Sequence, residues 1–590
     1  MTINNYYLQE LSSLRKLGGE FAIKNPGLSP YLSKEGQDPD VERMLEGFSF
    51  LTGRLRQQLD EELPEISHNL AQLLWPNYIR PVPSYSIIAY DPLREQNVSY
   101  YVPKGTEVLN EPTPNGAQYK FRTCYDTVIH PIEINQCKYH VHGSKSQIEL
   151  DFMVSCKGTL ASCNMDTLRI HLSGSRFIAK ELYLFLLQYI EMIEVEILDY
   201  QEEVLRTVHL SKQSIKPVGF NTDERILPYS KNIFDGYIVL QEYFAYEQKY
   251  LFVDIGNLNS IFGITKEILE KSRHFRVRFH FTKRLGAAQM LSKDNFALYC
   301  TPIINLFEVD AIPIRKTLLE EEYLLSASEF DREESEVFLV ESVRGWIPSK
   351  NCYEDFLPFE SFDYSDHDEY YSVRVRLSDD AKRTYSYIRF ASSDGLFEKN
   401  DYANATVSVK LLCTNRSLPS ALPFGQISVC NPHSNVAHLK FKNITIPTES
   451  YPPPMRSDFL WRVISNMSLN HLSLTDVNIL GAILDTYDFL GAYDMKVKKK
   501  NELMIKGLVS ISHQKTEMIY QGFPIRGIQT HLEIDISNFA GIGDAYLFCC
   551  VLNDFFALYC NINSFHQLEV KMIDYDIFVW PPKVGYQPLL

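Results

Sequence analysis

The sequence predicts an α+β protein in which an N-terminal helical segment is followed by several mostly antiparallel β-rich domains and a mixed α/β C-terminal region. Three observations carry this reading. Apolar residues recur at helical spacing through the first 80 residues, the spacing changes to two from about Tyr85, and both periods mix through the last 140 residues. At 590 residues, 45% hydrophobic and 13% aromatic, the chain can bury several cores. Segments of 1–80, 81–320, 321–450 and 451–590 follow from these changes of pattern.

The helical segment has clear start signals. Asp38-Pro39-Asp40 offers a capping side chain, a proline for the first helical position and early negative charge. Tyr7, Leu11, Leu14 and Phe21 stripe a first helix, and Val41, Leu45, Phe48, Leu55 and Leu59 a second that also carries Met44 and Leu51. Ile66, Leu70, Leu73 and Leu74 stripe a third that ends at Trp75-Pro76. A helix with apolar residues on more than one side must bury more than one side. Packing against a partner subunit and a helical hairpin lying on this chain's own sheets both satisfy that need.

Period-two alternation follows in Ile148-Leu150-Phe152-Val154 and in Phe275-Val277-Phe279-Phe281, the latter interleaved with Arg276, Arg278 and His280. Val373-Val375-Leu377 and Val407-Val409-Leu411 continue it, with a helix predicted at about 176–188. The acidic stretch from Glu320 to Glu334 and the run Tyr451-Pro452-Pro453-Pro454 read as linkers. In the C-terminal region helices are expected at about 458–470, 476–489 and 544–559, with a strand at Leu532-Ile534-Ile536.

The net charge of −16, without a long basic run, argues against nucleic acid or anionic lipid as main partner. The stretch from Ala545 to Ile562 is broken at Asn553-Asp554 and reads as a buried helix, so no direct membrane insertion is expected. The start Met-Thr-Ile-Asn-Asn-Tyr-Tyr does not read as a secretory signal, which implies the cytoplasm. Eleven cysteines without a C-x-x-C pair, such as Cys413, Cys549 and Cys550, read as reduced core side chains.

Phosphate-loop, dinucleotide, zinc-protease, nucleophile-elbow and EF-hand motifs are absent from the sequence. Cys137-x-x-His140-x-His142 is the nearest approach to a metal cluster, but it lacks further ligands at local spacing, and a solvent-side histidine pair is the ordinary explanation. Asp366-His367-Asp368 reads as solvated loop charge, and Ser13-x-x-Lys16 as a chance match. No catalytic, cofactor-binding or metal-binding residue is assigned.

Several stretches resemble, in order, the TssF family of type VI secretion baseplate subunits, also named ImpG or VasA. They begin with Tyr6-Tyr7-Leu8-Gln9-Glu10-Leu11, Asp38 through Phe48, Asp60-Glu61-Glu62-Leu63-Pro64 and Leu74-Trp75-Pro76. Lys216-Pro217-Val218-Gly219-Phe220, Gln241 through Ala245, Cys300 through Phe307 and Leu412 through Pro419 follow. Leu460-Trp461-Arg462, Phe555 through Tyr559 and Trp580-Pro581-Pro582 complete the series. The resemblance implies a non-catalytic wedge protein without a cofactor. It would join TssG, TssK, TssE and a second TssF copy around the spike hub, VgrG being a further candidate contact, on the cytoplasmic side of the inner membrane. On that reading Phe48, Leu51, Leu55, Leu59 and Trp75 are the candidate partner contacts. The alternatives are a wedge protein of a related phage tail or injection particle, a β-rich enzyme whose site is assembled from distant carboxylates, and a secreted adhesin or lectin-like module, which the odd cysteine count and the start of the sequence oppose.

Overall fold

Strands with one apolar and one polar face must pair and pack to bury the apolar one, so the period-two segments dictate sheets. The computed structural model describes residues 75–92, 94, 99–455 and 476–585, apart from 157, 164, 230–234, 263–265, 287–290, 318–319, 349–350, 360–368, 379–382, 393–404, 432–438, 521, 558–559, 561–562 and 574. It also describes residues 7, 11, 12, 14, 43–52, 54 and 70–72. The chain forms two compact units, one of Met1–Ile79 with Met455–Met467, the other of Arg80–Pro454 with Ser468–Leu590.

In the smaller unit residues 43–52 are helical, and Leu70 lies in a helical stretch that closes with Trp75 N–H donating to Ala71 O at 2.7 Å. Pro76 then opens a 3-10 turn through Ile79, as expected of a residue that lacks an N–H. Phe21, Val41, Leu55, Leu59, Ile66, Leu73 and Leu74 lie outside the described residues.

The larger unit is built from sheets. A six-stranded sheet runs in the spatial order Ile427–Cys430, Glu107–Asn110, Lys120–Thr123, Cys300–Ile304, Tyr85–Tyr90 and Phe441–Asn443. A five-stranded antiparallel sheet orders Val204–Leu210, Ile190–Leu198, His274–Phe281, Lys145–Val154 and Ile132–His142. Its apolar face holds the predicted alternation: Phe275, Val277, Phe279 and Phe281 are buried with Ile148, Leu150 and Phe152, and the Phe152 and Phe275 rings stack at 4.6 Å.

An eight-stranded sheet includes Glu336–Ile347, Glu369–Leu377, Thr384–Ser392 and Thr406–Thr414. The acidic stretch expected to be a linker belongs to this sheet. Tyr323–Leu324 pairs with Thr384–Ser392, Tyr323 and Leu325 are buried, and Glu322 binds Arg374 at 3.3 Å, Arg376 at 2.7 Å and Arg389 at 2.9 Å. Pairing across the sheet neutralises a carboxylate that, read along the chain, only repels its neighbours. The proline run is also packed. Tyr451 exchanges backbone hydrogen bonds with Val82 and the three prolines are buried, although the unit boundary does fall after Pro454.

The C-terminal sheet orders Leu508–Tyr520, Phe523–Ile534, Ser564–Met572 and Ile577–Val579, with Lys583–Val584 beside the third strand. The second and third strands are parallel, so the chain must cross over between them, and it does so through the helix Ile542–Ala557. This helix is strongly apolar, and it is buried on nearly all sides. Among the described residues no helix is long and apolar enough to cross a membrane. The expected helices near 176 and 476 are Arg176–Leu184, capped by Ser175, and Val477–Thr486, capped by Asp476. The one at 458–470 lies outside the described residues, and Ile536 opens a 3-10 turn beyond the strand in which it was expected.

Helices Arg176–Leu184 and Ile542–Ala557 meet at close range. A Cβ on Gly543 would stand 2.4 Å from Lys180 O, so the approach requires glycine. At this contact Lys180 Nζ, 5% exposed, binds Asp544 at 2.5 Å and Glu247 at 2.8 Å, and Lys500 reaches Glu247 at 3.0 Å. Burial would push the Glu247 carboxyl up, but Lys180 and Lys500 outweigh it and hold it down at about 2. Lys180→Met leaves Asp544 buried without its cation and should cost roughly 3–5 kcal/mol in urea unfolding at pH 7. A carboxylate with a depressed pKa gives stability that is complete above its unfolded value near 4.5 and is lost as pH falls through about 2. The gap between wild type and Lys180→Met should therefore narrow below pH 4.5. An unchanged gap would show that this cluster does not set acid stability.

Candidate interaction surfaces

The helix at 43–52 is amphipathic in an unusual sense. Leu45, Ser49 and Thr52 lie on its inward side, where Ser49 is fully buried and its hydroxyl donates to Leu45 O at 2.6 Å. Thr52 donates in the same way to Phe48 O at 2.7 Å. Met44, Phe48 and Leu51, at i, i+4 and i+7, form a neighbouring stripe that is 76%, 57% and 60% exposed. Phe50 is also exposed. The single stripe read from Val41, Leu45 and Phe48 is thus divided: Leu45 turns in, and Phe48 sides with Met44 and Leu51.

The structure brings Phe48 and Leu51 together on that stripe. Leu55 and Leu59 lie outside the described residues, and Trp75 is placed elsewhere, buried at 1% exposure where its own chain encloses it.

The charged face of the five-stranded sheet has a different character. Arg276 binds Asp151 at 2.6 Å and Glu149 at 3.3 Å; Arg278 binds Glu149 at 2.9 Å and Glu194 at 3.5 Å and also pairs with Glu196. Lys138 adds contacts to Glu149 and Asp151, and His280 one to Glu194. Burial would raise Glu149, yet its hydrogen bond from Arg278 and the charge of Arg276 hold it below the usual carboxylate range. These charges satisfy one another, so this face stiffens the sheet and asks for no partner.

The histidine pair sits on the same side of the sheet. His140 and His142 have ring centroids 6.5 Å apart, but Cys137 stands opposite core residue Leu150 and faces the other way. Odd spacing on a strand produces that split. Among the described residues no group of three or more potential metal ligands converges. Asp366-His367-Asp368, Ser13 and Lys16 lie outside the described residues.

A cleft of about 290 Å³ is lined by Asp126, His130, Arg169 and Asp254. Asp254 gives both oxygens to Arg169, at 2.7 and 2.8 Å, Asp126 accepts from Lys104 N–H at 2.7 Å, and His130 Nδ1 meets Ser99 Oγ at 2.7 Å. Burial lowers His130 to about 4, so it is neutral at pH 7. The carboxylates here hold a fold together and leave no poised acid and base pair. All eleven cysteines are unpaired, and burial pushes the Cys124 and Cys550 thiols up to about 12, far from reactive values.

The family model described as "Type VI secretion system, TssF" matches residues 1–587. A type VI secretion system component of Pseudomonas aeruginosa, TssF1, is 26% identical over 99% of each chain. A chain of the type VI secretion TssK-TssF-TssG baseplate subcomplex, solved by cryo-electron microscopy, shares the fold with a TM-score of 0.74. It is 24% identical, over 92% of this chain and 99% of that one. A chain of the baseplate complex from the type VI secretion system gives a TM-score of 0.61 at 21% identity over the full length of both.

Proposed function

The chain belongs to the TssF family of the type VI secretion system, and on that premise we propose that it is a structural wedge component of the secretion baseplate. The observation that carries the reading is the exposed apolar stripe of Met44, Phe48 and Leu51, in contrast to the charged face of the five-stranded sheet, whose groups pair with one another. Obligate subunit interfaces have this apolar character. We infer that the stripe, continued by Leu55 and Leu59, docks against helices of a TssG-like partner. TssK, TssE and a second copy of this chain complete the neighbourhood around the spike hub, VgrG remaining a further candidate contact. Its work is mechanical rather than catalytic and is carried out in the cytoplasm, at the membrane-proximal end of the tail.

Two measurements test this. Co-expression with a TssG-like protein should yield a stable complex whose mass corresponds to two copies of this chain per partner. A chain that stays alone would overturn the wedge reading. Phe48→Asp places a charge on an exposed position, so the isolated protein should keep its unfolding free energy within about 0.5 kcal/mol. Complex formation should fall by at least about tenfold, the loss expected when a central apolar anchor is removed. Normal assembly by this variant would remove the stripe from the interface.

A further inference from the structure

The C-terminal sheet ends on a long bare edge. Leu508–Tyr520 is its outermost strand, thirteen residues long, and among the described residues no other strand pairs with its outer side. An edge of this length presents a row of unpaired backbone donors and acceptors, the template for adding another strand. The hairpin it makes with Phe523–Ile534 also runs past its support. The third strand pairs only from Arg526 onward, so the tip beyond stands as a two-stranded ribbon carrying Ile519 at 80%, Tyr520 at 42% and Phe523 at 73% exposure. An isolated two-stranded ribbon with apolar side chains in water is marginal by itself.

The charges on this strand identify the occupant. Its only charged residues are Lys515 and Glu517, two apart and therefore on one face. Two copies that pair antiparallel about a two-fold axis through Thr516 place Lys515 of each opposite Glu517 of the other. The same register sets Gln514 against Met518, His513 against Ile519 and Ser512 against Tyr520, so each tip lies along the other's strand. A two-fold axis perpendicular to a sheet preserves faces, so only opposite charges at an even separation can match in this way. On the edge Ile132–His142 a bulge between Ile134 and Gln136 breaks the regular register and Lys138 is already bound to Glu149 and Asp151, and the edge Val204–Leu210 carries Arg206 without an acid. Among the described residues Lys515 has no ion-pair partner, while Glu517 pairs with Arg526 at 3.1 Å across the hairpin, where both are largely exposed.

We propose that the Leu508–Tyr520 edge is a homotypic docking site at which a second copy of this chain adds its own Leu508–Tyr520 strand antiparallel, centred on Thr516. The interface is isologous, and the same patch serves both copies. The purified full chain tests it without other proteins, so failure here leaves the baseplate reading standing. Directly opposed Cα atoms in an antiparallel pair lie about 4.5–5.5 Å apart, within disulfide reach. Thr516→Cys should give a covalent dimer on mild oxidation, and Ser512→Cys, whose opposite neighbour is Tyr520, should stay at the wild-type background. Lys515→Glu and Glu517→Lys should each weaken self-association about tenfold, because like charges then meet twice per dimer. Mixing those two variants should restore association, since the acidic strand of one faces the basic strand of the other. All four positions lie on the outer strand of an exposed hairpin, and unchanged circular dichroism verifies that the variants fold. A chain that sediments as a monomer, equal cross-linking at both cysteine positions, or a mixture that fails to associate overturns the proposal.

Discussion

The clamp of Lys180 between Glu247 and Asp544 is the constraint from which the C-terminal half of the larger unit takes its position. Each of these groups is removed from water, so each must keep its partner, and the geometry tolerates little displacement. Gly543 permits the close approach, and aromatic contacts then fix the remaining freedom. Tyr183 meets Tyr546 at 6.3 Å, Tyr243 meets Phe548 at 5.9 Å, and Tyr546 stacks on Trp580 at 5.4 Å. Helix Ile542–Ala557 is the crossover that makes Phe523–Ile534 and Ser564–Met572 parallel. Fixing that helix therefore fixes where the projecting hairpin stands.

Much of the β architecture was legible because its sheets are half exposed. Phe275 to Phe281, Ile148 to Val154 and Val407 to Leu411 alternate, since one face sees a core and the other sees charge or water. What local pattern does not carry is pairing between distant segments. Ile427–Cys430 and Phe441–Asn443 complete a sheet begun at Tyr85, a closure no local periodicity announces. Glu320 to Glu334 read as a linker because Arg374, Arg376 and Arg389, the partners of Glu322, lie far along the chain. The strand Leu508–Tyr520 was missed for the opposite reason, although the end of its hairpin partner, Leu532 and Ile534, was expected. Its exposed length needs no alternation, and its only signal was a run of β-compatible residues with Gly522 at the turn.

The candidate surface was legible in part. Apolar residues on more than one side of the 43–52 helix required more than one contact, and the structure leaves Met44, Phe48 and Leu51 outside while Ser49 and Leu45 turn in. Trp75 belonged to the same stretch of pattern but serves the interior. An aromatic residue just before a helix-ending proline is as well suited to plugging a core as to meeting a partner, and sequence alone does not separate the two.

Charge explains why association by this chain has to be local and directional. A net charge of −16 opposes any approach of two copies, and salt screens that repulsion over roughly 8 Å at physiological ionic strength. Charged groups on the sheet faces cannot help, because Arg276, Arg278 and Glu322 are already committed within the chain. What remains is apolar area, backbone edges and a few unmatched charges such as Lys515. Raising salt weakens the Lys515–Glu517 match and the long-range repulsion together, and the repulsion falls first because it acts over the greater distance. If two copies pair along the strand edge as proposed, moderate salt favours that pairing, while the proposed docking of the apolar 43–52 stripe has no close charge match for salt to weaken. At higher salt the two proposed surfaces would part, the strand edge losing its Lys515–Glu517 match while the apolar stripe has no such match to lose.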